Sequence, residues 1–95
     1  MLFLVISTPR PERPSEVRAV RQQFWRWIDP LLQDGTARFC YPRPGRGAIA
    51  LFDVDSNETL HHLLTEWADH IPAAFDLYPL IESAEAKAFL DRSGG

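Results

Sequence analysis

The chain has 95 residues, 45% hydrophobic and 24% charged, with ten Lys and Arg against thirteen Asp and Glu. At this length folding buries only about 60% of the unfolded surface, so one thin core is possible. A formal charge of −3 excludes a strongly basic nucleic-acid binder and a polybasic membrane anchor. The single cysteine, Cys40, has no internal partner, which argues against a disulfide-stapled secreted fold. The apolar start Met1 to Ile6 is too short for a signal peptide and has no basic flank. Nothing approaches the roughly 18 apolar residues of a membrane helix, so the expected location is the cytoplasm.

Without repeat, low-complexity tract or linker, residues 1–95 read as one domain. Leu2 to Ile6 is a continuous apolar run, suited to a strand buried on both faces. Three prolines between Pro9 and Pro14 then exclude helix and central strand. A helix starting at Ser15 places Val17, Val20, Phe24, Ile28 and Leu31 on one face, with Trp27 beside them. Pro30 predicts a kink or a restart from Asp29, and Gly35 the stop. Thr36 to Tyr41 and Ala48 to Val54 read as strands joined by the turn-rich Pro42-Arg43-Pro44-Gly45-Arg46-Gly47. Asp55 or Ser56 caps a second helix, whose stripe is Leu60, Leu63, Leu64, Trp67 and Ile71. Ala74 to Ile81 is a fourth strand and Ser83 to Leu90 a short C-terminal helix, with residues 92–95 expected to fray.

The order β-α-β-β-α-β is that of an α+β, ferredoxin-like sandwich: a four-stranded antiparallel sheet with both helices on one face. Strands covered on one face should alternate apolar and polar. Here Leu2, Leu4 and Ile6 oppose Phe3 and Val5, and Ile49 and Leu51 oppose Ala50, Phe52 and Val54. A sheet apolar on both faces needs a second cover. The economical one is another copy of the chain, which predicts a homodimer or higher homo-oligomer through the sheet face, a dimeric α+β barrel.

Three groups of residues carry a family resemblance: Met1-Leu2-Phe3-x-Val5, Asp34-Gly35-Thr36-x-Arg38, and above all Phe52-Asp53-Val54-x-Ser56-x-Glu58-x-Leu60-His61-x-x-Leu64. On these, with looser support from Pro72, Phe75 and Asp76-x-x-Pro79-Leu80, the chain resembles the muconolactone isomerase family over residues 1 to about 81. The resemblance implies small ferredoxin-like subunits assembling into dimers, and into decamers in the isomerase proper. It also implies an allylic proton shift in aromatic catabolism, without metal or cofactor. Leu4 stands where a His is usual, and Phe39, Cys40, Tyr41, Gly45, Gly47 and Ala48 replace a more polar second and third strand. No catalytic residue is therefore carried over.

Moving a proton between two carbons needs a base and donors for the developing oxyanion. Asp76 lies between Phe75 and Leu77 in a strand, either a buried base or an edge residue facing water. His61 borders the apolar stripe of the second helix, either a base reaching a cavity or a residue satisfied by a neighbour. Asp53 ends the third strand, as a base raised in pKa by burial or as a turn carboxylate. Arg38 is the candidate anion holder, with Tyr41 and Tyr78 as oxyanion donors and Trp25 as a pocket or interface residue. Arg43 and Arg46, clustered with Arg38 around the hairpin, read either as forks that grip a carboxylate or as a solvated hairpin that discourages edge pairing. Trp27 and Trp67 read as core, and Cys40 as a small apolar strand residue. The row His62, Glu66 and His70 reads as a solvated face and gives no metal site.

The expected protein is a cofactor-free isomerase acting on a small anionic, aromatic-derived or polyketide-like molecule, with no nucleic-acid or membrane partner. The alternatives are a cofactor-free monooxygenase or cyclase of aromatic polyketides, and a non-catalytic ligand-binding subunit.

Overall fold

A computed structural model of the chain describes residues 1–92. Four strands, β1 (Leu2–Pro9), β2 (Ala37–Pro42), β3 (Ala48–Asp53) and β4 (Ala73–Leu80), alternate with helices α1 (Arg18–Asp34) and α2 (Asn57–His70), and α3 (Ser83–Arg92) follows. The sheet order is β2-β3-β1-β4, every neighbouring pair antiparallel, which is the α+β, ferredoxin-like arrangement. The C-terminal residues 93–95 of the stretch expected to fray lie outside the described residues.

Each helix forms where its sequence places apolar residues on one side. Val17, Phe24 and Ile28 are buried from α1 and its entry; Leu60, Leu63 and Trp67 from α2. The entry to α1 is a short 3-10 turn, Pro14–Val17, so the α-helix begins at Arg18 rather than at Ser15. The expected restart at Asp29 does not occur, because α1 runs unbroken through Pro30 to Asp34. Pro30 and Arg26 are both exposed, so the Arg26 carbonyl that loses its helical donor faces water. Gly35 ends the helix in the left-handed region at φ 87°, which only glycine adopts without strain. At α2 the cap is Ser56, whose Oγ accepts from the Thr59 backbone N–H at 3.1 Å. Asp55 instead accepts from the Thr59 hydroxyl at 2.8 Å.

The helices pack on the sheet face carrying Val5, Cys40, Ala48, Ala50 and Phe52, all buried. Small residues there let the aromatic rings of the helices approach. Trp67 stands at the centre, with ring centroids 4.9 Å from Phe24, 5.2 Å from Phe75 and 6.2 Å from Phe52. Such pairs add about 0.5–1.5 kcal/mol each beyond their buried area. The Trp27 indole N–H donates to Glu66 at 3.0 Å and ties α1 to α2.

The opposite face of the sheet carries Leu4, Ile6, Phe39, Tyr41, Ile49, Leu51, Tyr78 and Leu80, and among the described residues no element covers it. Tyr41 is 67% exposed, Tyr78 51% and Leu80 44%. No residue of α3 is buried, and its Phe89 and Leu90 are exposed. The molecule is drawn out to 57 × 23 × 21 Å, with a radius of gyration of 15.6 Å. A compact chain of this length would have about 12 Å. No helix among the described residues is long and apolar enough to cross a membrane.

Candidate functional site

One end of the sheet holds the end of β1, the β2–β3 hairpin and the start of β4; the other holds Met1, Arg38, Asp53 and Leu80. A cavity of about 70 Å³ opens at the hairpin end, between the helix layer and the sheet. Its apolar wall is Phe24 and Trp25 of α1 and Trp67 and Ile71 of α2. Its polar wall is Arg21 of α1, Arg43 and Arg46 of the hairpin loop, and Ser7 of β1.

The hairpin loop is locally determined. The Arg43 N–H donates to the Gly47 carbonyl at 2.8 Å, closing residues 43–47 on themselves. Gly47 has φ 97°, and a Cβ there would stand 2.6 Å from the Ser7 carbonyl oxygen. This close approach lets the loop lie against β1, which only glycine permits. The Ser7 hydroxyl, 2% exposed, accepts from the Ala48 N–H at 2.9 Å and donates to the Ala48 carbonyl at 3.3 Å, so the end of the β1–β3 ladder is completed by a side chain.

Two guanidinium groups are thereby fixed over the cavity. Arg43 Nη1 donates to the Ser7 carbonyl at 3.1 Å, and Arg46 Nη1 to the Arg10 carbonyl at 2.9 Å. Each is held by a neutral oxygen that leaves its charge uncompensated. Among the described residues no carboxylate pairs with Arg21, Arg43 or Arg46. The lining includes no Asp, Glu, His or Tyr. Three arginines over an aromatic wall suit a planar molecule bearing negative charge.

The residues expected from sequence to form the site are distributed differently. Trp25 lines the cavity. Tyr41, Tyr78 and Asp76 project from the open face of the sheet, Asp76 opposite Ile6 and exposed rather than buried. His61 is exposed on α2, its ring 6.2 Å from that of His62. Arg38 sits at the bulge of β2, at the far end of the sheet, where its Nη2 contacts Asp53 at 2.7 Å and Glu82 at 2.6 Å. Asp53 also lies 3.7 Å from the N-terminal ammonium. The Arg38 hydrogen bond outweighs the desolvation that pushes the Asp53 carboxyl up, as its place at the strand end allowed. With the attraction of Arg38 and the N-terminus, it holds the carboxyl below the usual range. Arg38 is raised in turn, by Glu82 first and Asp53 second. This cluster latches the start of α3 to the sheet.

Cys40 is buried in the core, and burial, with a smaller push from Asp29, raises its thiol to about 11. No group of three or more His, Cys, Asp or Glu among the described residues is arranged to hold a metal ion. Glu66, of the row His62, Glu66 and His70, instead accepts from the Trp27 indole.

Arg43 and Arg46, for which the sequence left a solvated hairpin and a carboxylate grip open, therefore line the cavity, joined by Arg21 and Ser7, which the sequence did not mark as site residues. A usable signal was present: the loop from Pro42 to Gly47 holds two arginines and no acid, and Arg21 stands one helical turn before Trp25.

Fold and cavity together define a ferredoxin-like α+β protein with an arginine-rimmed pocket between its layers. The chain belongs to the family described as a domain of unknown function, DUF3303, whose model matches residues 1–94. No curated protein matches it in sequence. Among solved structures it is similar to the 5-chloro-2-hydroxyhydroquinone dehydrochlorinase of Burkholderia phenoliruptrix AC1100, in complex with 2,5-dihydroxybenzoquinone. That similarity has a TM-score of 0.67 at 16% identity, over 90% of this chain and 98% of the other. At that identity the likeness is one of fold. The resemblance to the muconolactone isomerase family is supported here at the level of the ferredoxin-like fold.

Proposed function

We propose that this single domain is a cytoplasmic, cofactor-independent enzyme that binds a small, planar, anionic molecule of aromatic origin at the hairpin cavity and moves a proton on it. The observation that carries the reading is the set of three arginines, Arg21, Arg43 and Arg46, without carboxylate partners beside Trp25 and Trp67. Arginine presents a planar fork to a carboxylate or oxyanion, and the indole faces take a flat ring. The fold neighbour, a dehydrochlorinase in complex with a dihydroxybenzoquinone, supports an aromatic-derived substrate. The cavity, at about 70 Å³, is less than half the ~150 Å³ that holds benzene, so the charged head enters and much of the ring lies at the mouth.

The working unit in this proposal is a homodimer or larger assembly joined through the open sheet face. Asp76, His61 and Asp53 remain the proposed bases, and Arg38, Tyr41 and Tyr78 the proposed further binding groups. None of them lines the cavity of a single copy. That observation favours a second reading, a ligand-binding subunit without catalysis.

Binding is read by quenching of tryptophan fluorescence, since Trp25 and Trp67 line the cavity. Benzoate and its hydroxylated relatives should quench saturably, and Arg46→Gln should weaken them about tenfold, in the range of one lost charge-assisted contact. Equal binding by the variant, or none by the parent, overturns the reading. Deuterium uptake from solvent into a bound unsaturated acid decides between the two readings: uptake that is lost in Asp76→Asn or His61→Ala identifies the enzyme, and no uptake the binding subunit.

A further inference from the structure

The composition of the cavity wall fixes more than the sign of its ligand. Three arginines line the space, and no carboxylate, imidazole or phenol lies beside them. Arg43 and Arg46 are held in place by the carbonyls of Ser7 and Arg10, so neither needs a ligand to order it. Arg21 makes no hydrogen bond or ion pair to another described residue, although its side chain borders the cavity. The other wall is aromatic and accepts a hydroxyl hydrogen only weakly, through its ring faces.

A hydroxyl on a ring or enol entering this site thus meets three cationic donors and no anionic or imidazole acceptor. As the neutral O–H it finds at most the Ser7 hydroxyl, already engaged with Ala48, while as the oxyanion it takes charge-assisted hydrogen bonds from the arginines. Resting on the reading of the cavity as an anion site, we propose that its ligands are acidic hydroxyarenes, hydroxyquinones or enols, bound as their oxyanions. The O–H bond breaks heterolytically, the electron pair stays on oxygen, and the proton leaves to bulk water through the open mouth. The protein contributes the field that stabilises the oxyanion, and no side-chain base is needed for this ionisation. An electron-rich phenolate or enolate is the form from which a ring carbon takes up a proton or expels a leaving group. Ionisation at the cavity is therefore the step that prepares the substrate.

The test uses a 4-nitrophenol probe, whose phenolate absorbs visible light, titrated with the intact protein. Its apparent pKa when bound should fall by at least one unit, a tenfold preference for the phenolate. The uncharged ether 4-nitroanisole should bind at least tenfold more weakly. Arg21→Gln, a change at a half-buried residue that breaks no hydrogen bond or ion pair to another described residue, should return part of the shift, and Arg21→Lys should retain it. Should nitrophenol bind with unchanged pKa while benzoate still quenches Trp25, the cavity is an anion site but this proposal fails. Should neither ligand bind, both this proposal and the reading beneath it fail.

Discussion

Gly47 sits where the hairpin loop touches β1, and a Cβ there would lie 2.6 Å from the Ser7 carbonyl that also anchors Arg43. Gly47→Ala combines a left-handed φ with a backbone clash and should cost about 1–3 kcal/mol. It should also displace Arg43, so weaker benzoate binding should accompany the lower Tm. Unchanged binding in a destabilised variant would separate the loop from the site. At the other end of the sheet, Arg38 holds Asp53 below its ordinary pKa. A carboxyl whose folded pKa is depressed stabilises the fold above the unfolded value near 3.9. That contribution is lost as pH falls through the folded value. Arg38→Met should therefore lower Tm at pH 7, where both groups are charged, and lower it less near pH 3. A deficit that persists unchanged at low pH would mean that Arg38 acts through packing rather than charge.

The second helix shows how far sequence rules resolve an element. Spacing alone left Asp55 and Ser56 as rival caps, and both contact Thr59, but only Ser56 reaches its backbone N–H. Ser56→Ala should cost about 1 kcal/mol by thermal or urea unfolding, and Asp55→Ala clearly less. The reverse order would assign the cap to Asp55. Helices, strands and their order were legible because apolar periodicity in Leu60, Leu63 and Trp67, or Phe24 and Ile28, is a local property. The continuity of α1 through Pro30 was not, since it depends on the freed Arg26 carbonyl facing water. The cavity was less legible still. Arg43 and Arg46 in a loop of prolines and glycines look like a solvated turn until Ser7 and Arg10, over thirty positions away, are seen to accept their N–H groups. Asp76 misled in the opposite way: its apolar neighbours Phe75 and Leu77 point to the helix side, while Asp76 itself faces out of the open side.

On the scale of the molecule, the same two-sided apolar strands that fix the fold leave it unfinished. Four strands about 4.8 Å apart and some six residues long make a face of several hundred Å². Leu4, Ile6, Ile49 and Leu51 run across its middle, with Asp76 toward one end and the Asp53–Arg38 pair at the other. Monomeric proteins rarely leave so large an apolar area in water. The extended shape and the unburied α3 add further apolar surface at the end. A second sheet face of the same kind is the cover that the proposed homodimer supplies. Because a two-fold interface uses each patch twice, one charge at its centre is buried twice. Ile49→Lys should accordingly shift the mass measured by light scattering from dimer to monomer at micromolar concentration. The ammonium reaches water in a free monomer, so far-UV circular dichroism should stay close to that of the parent. An unchanged dimeric mass would mean that the subunits meet elsewhere, and a parent chain that is itself monomeric would remove the open face from the proposal altogether.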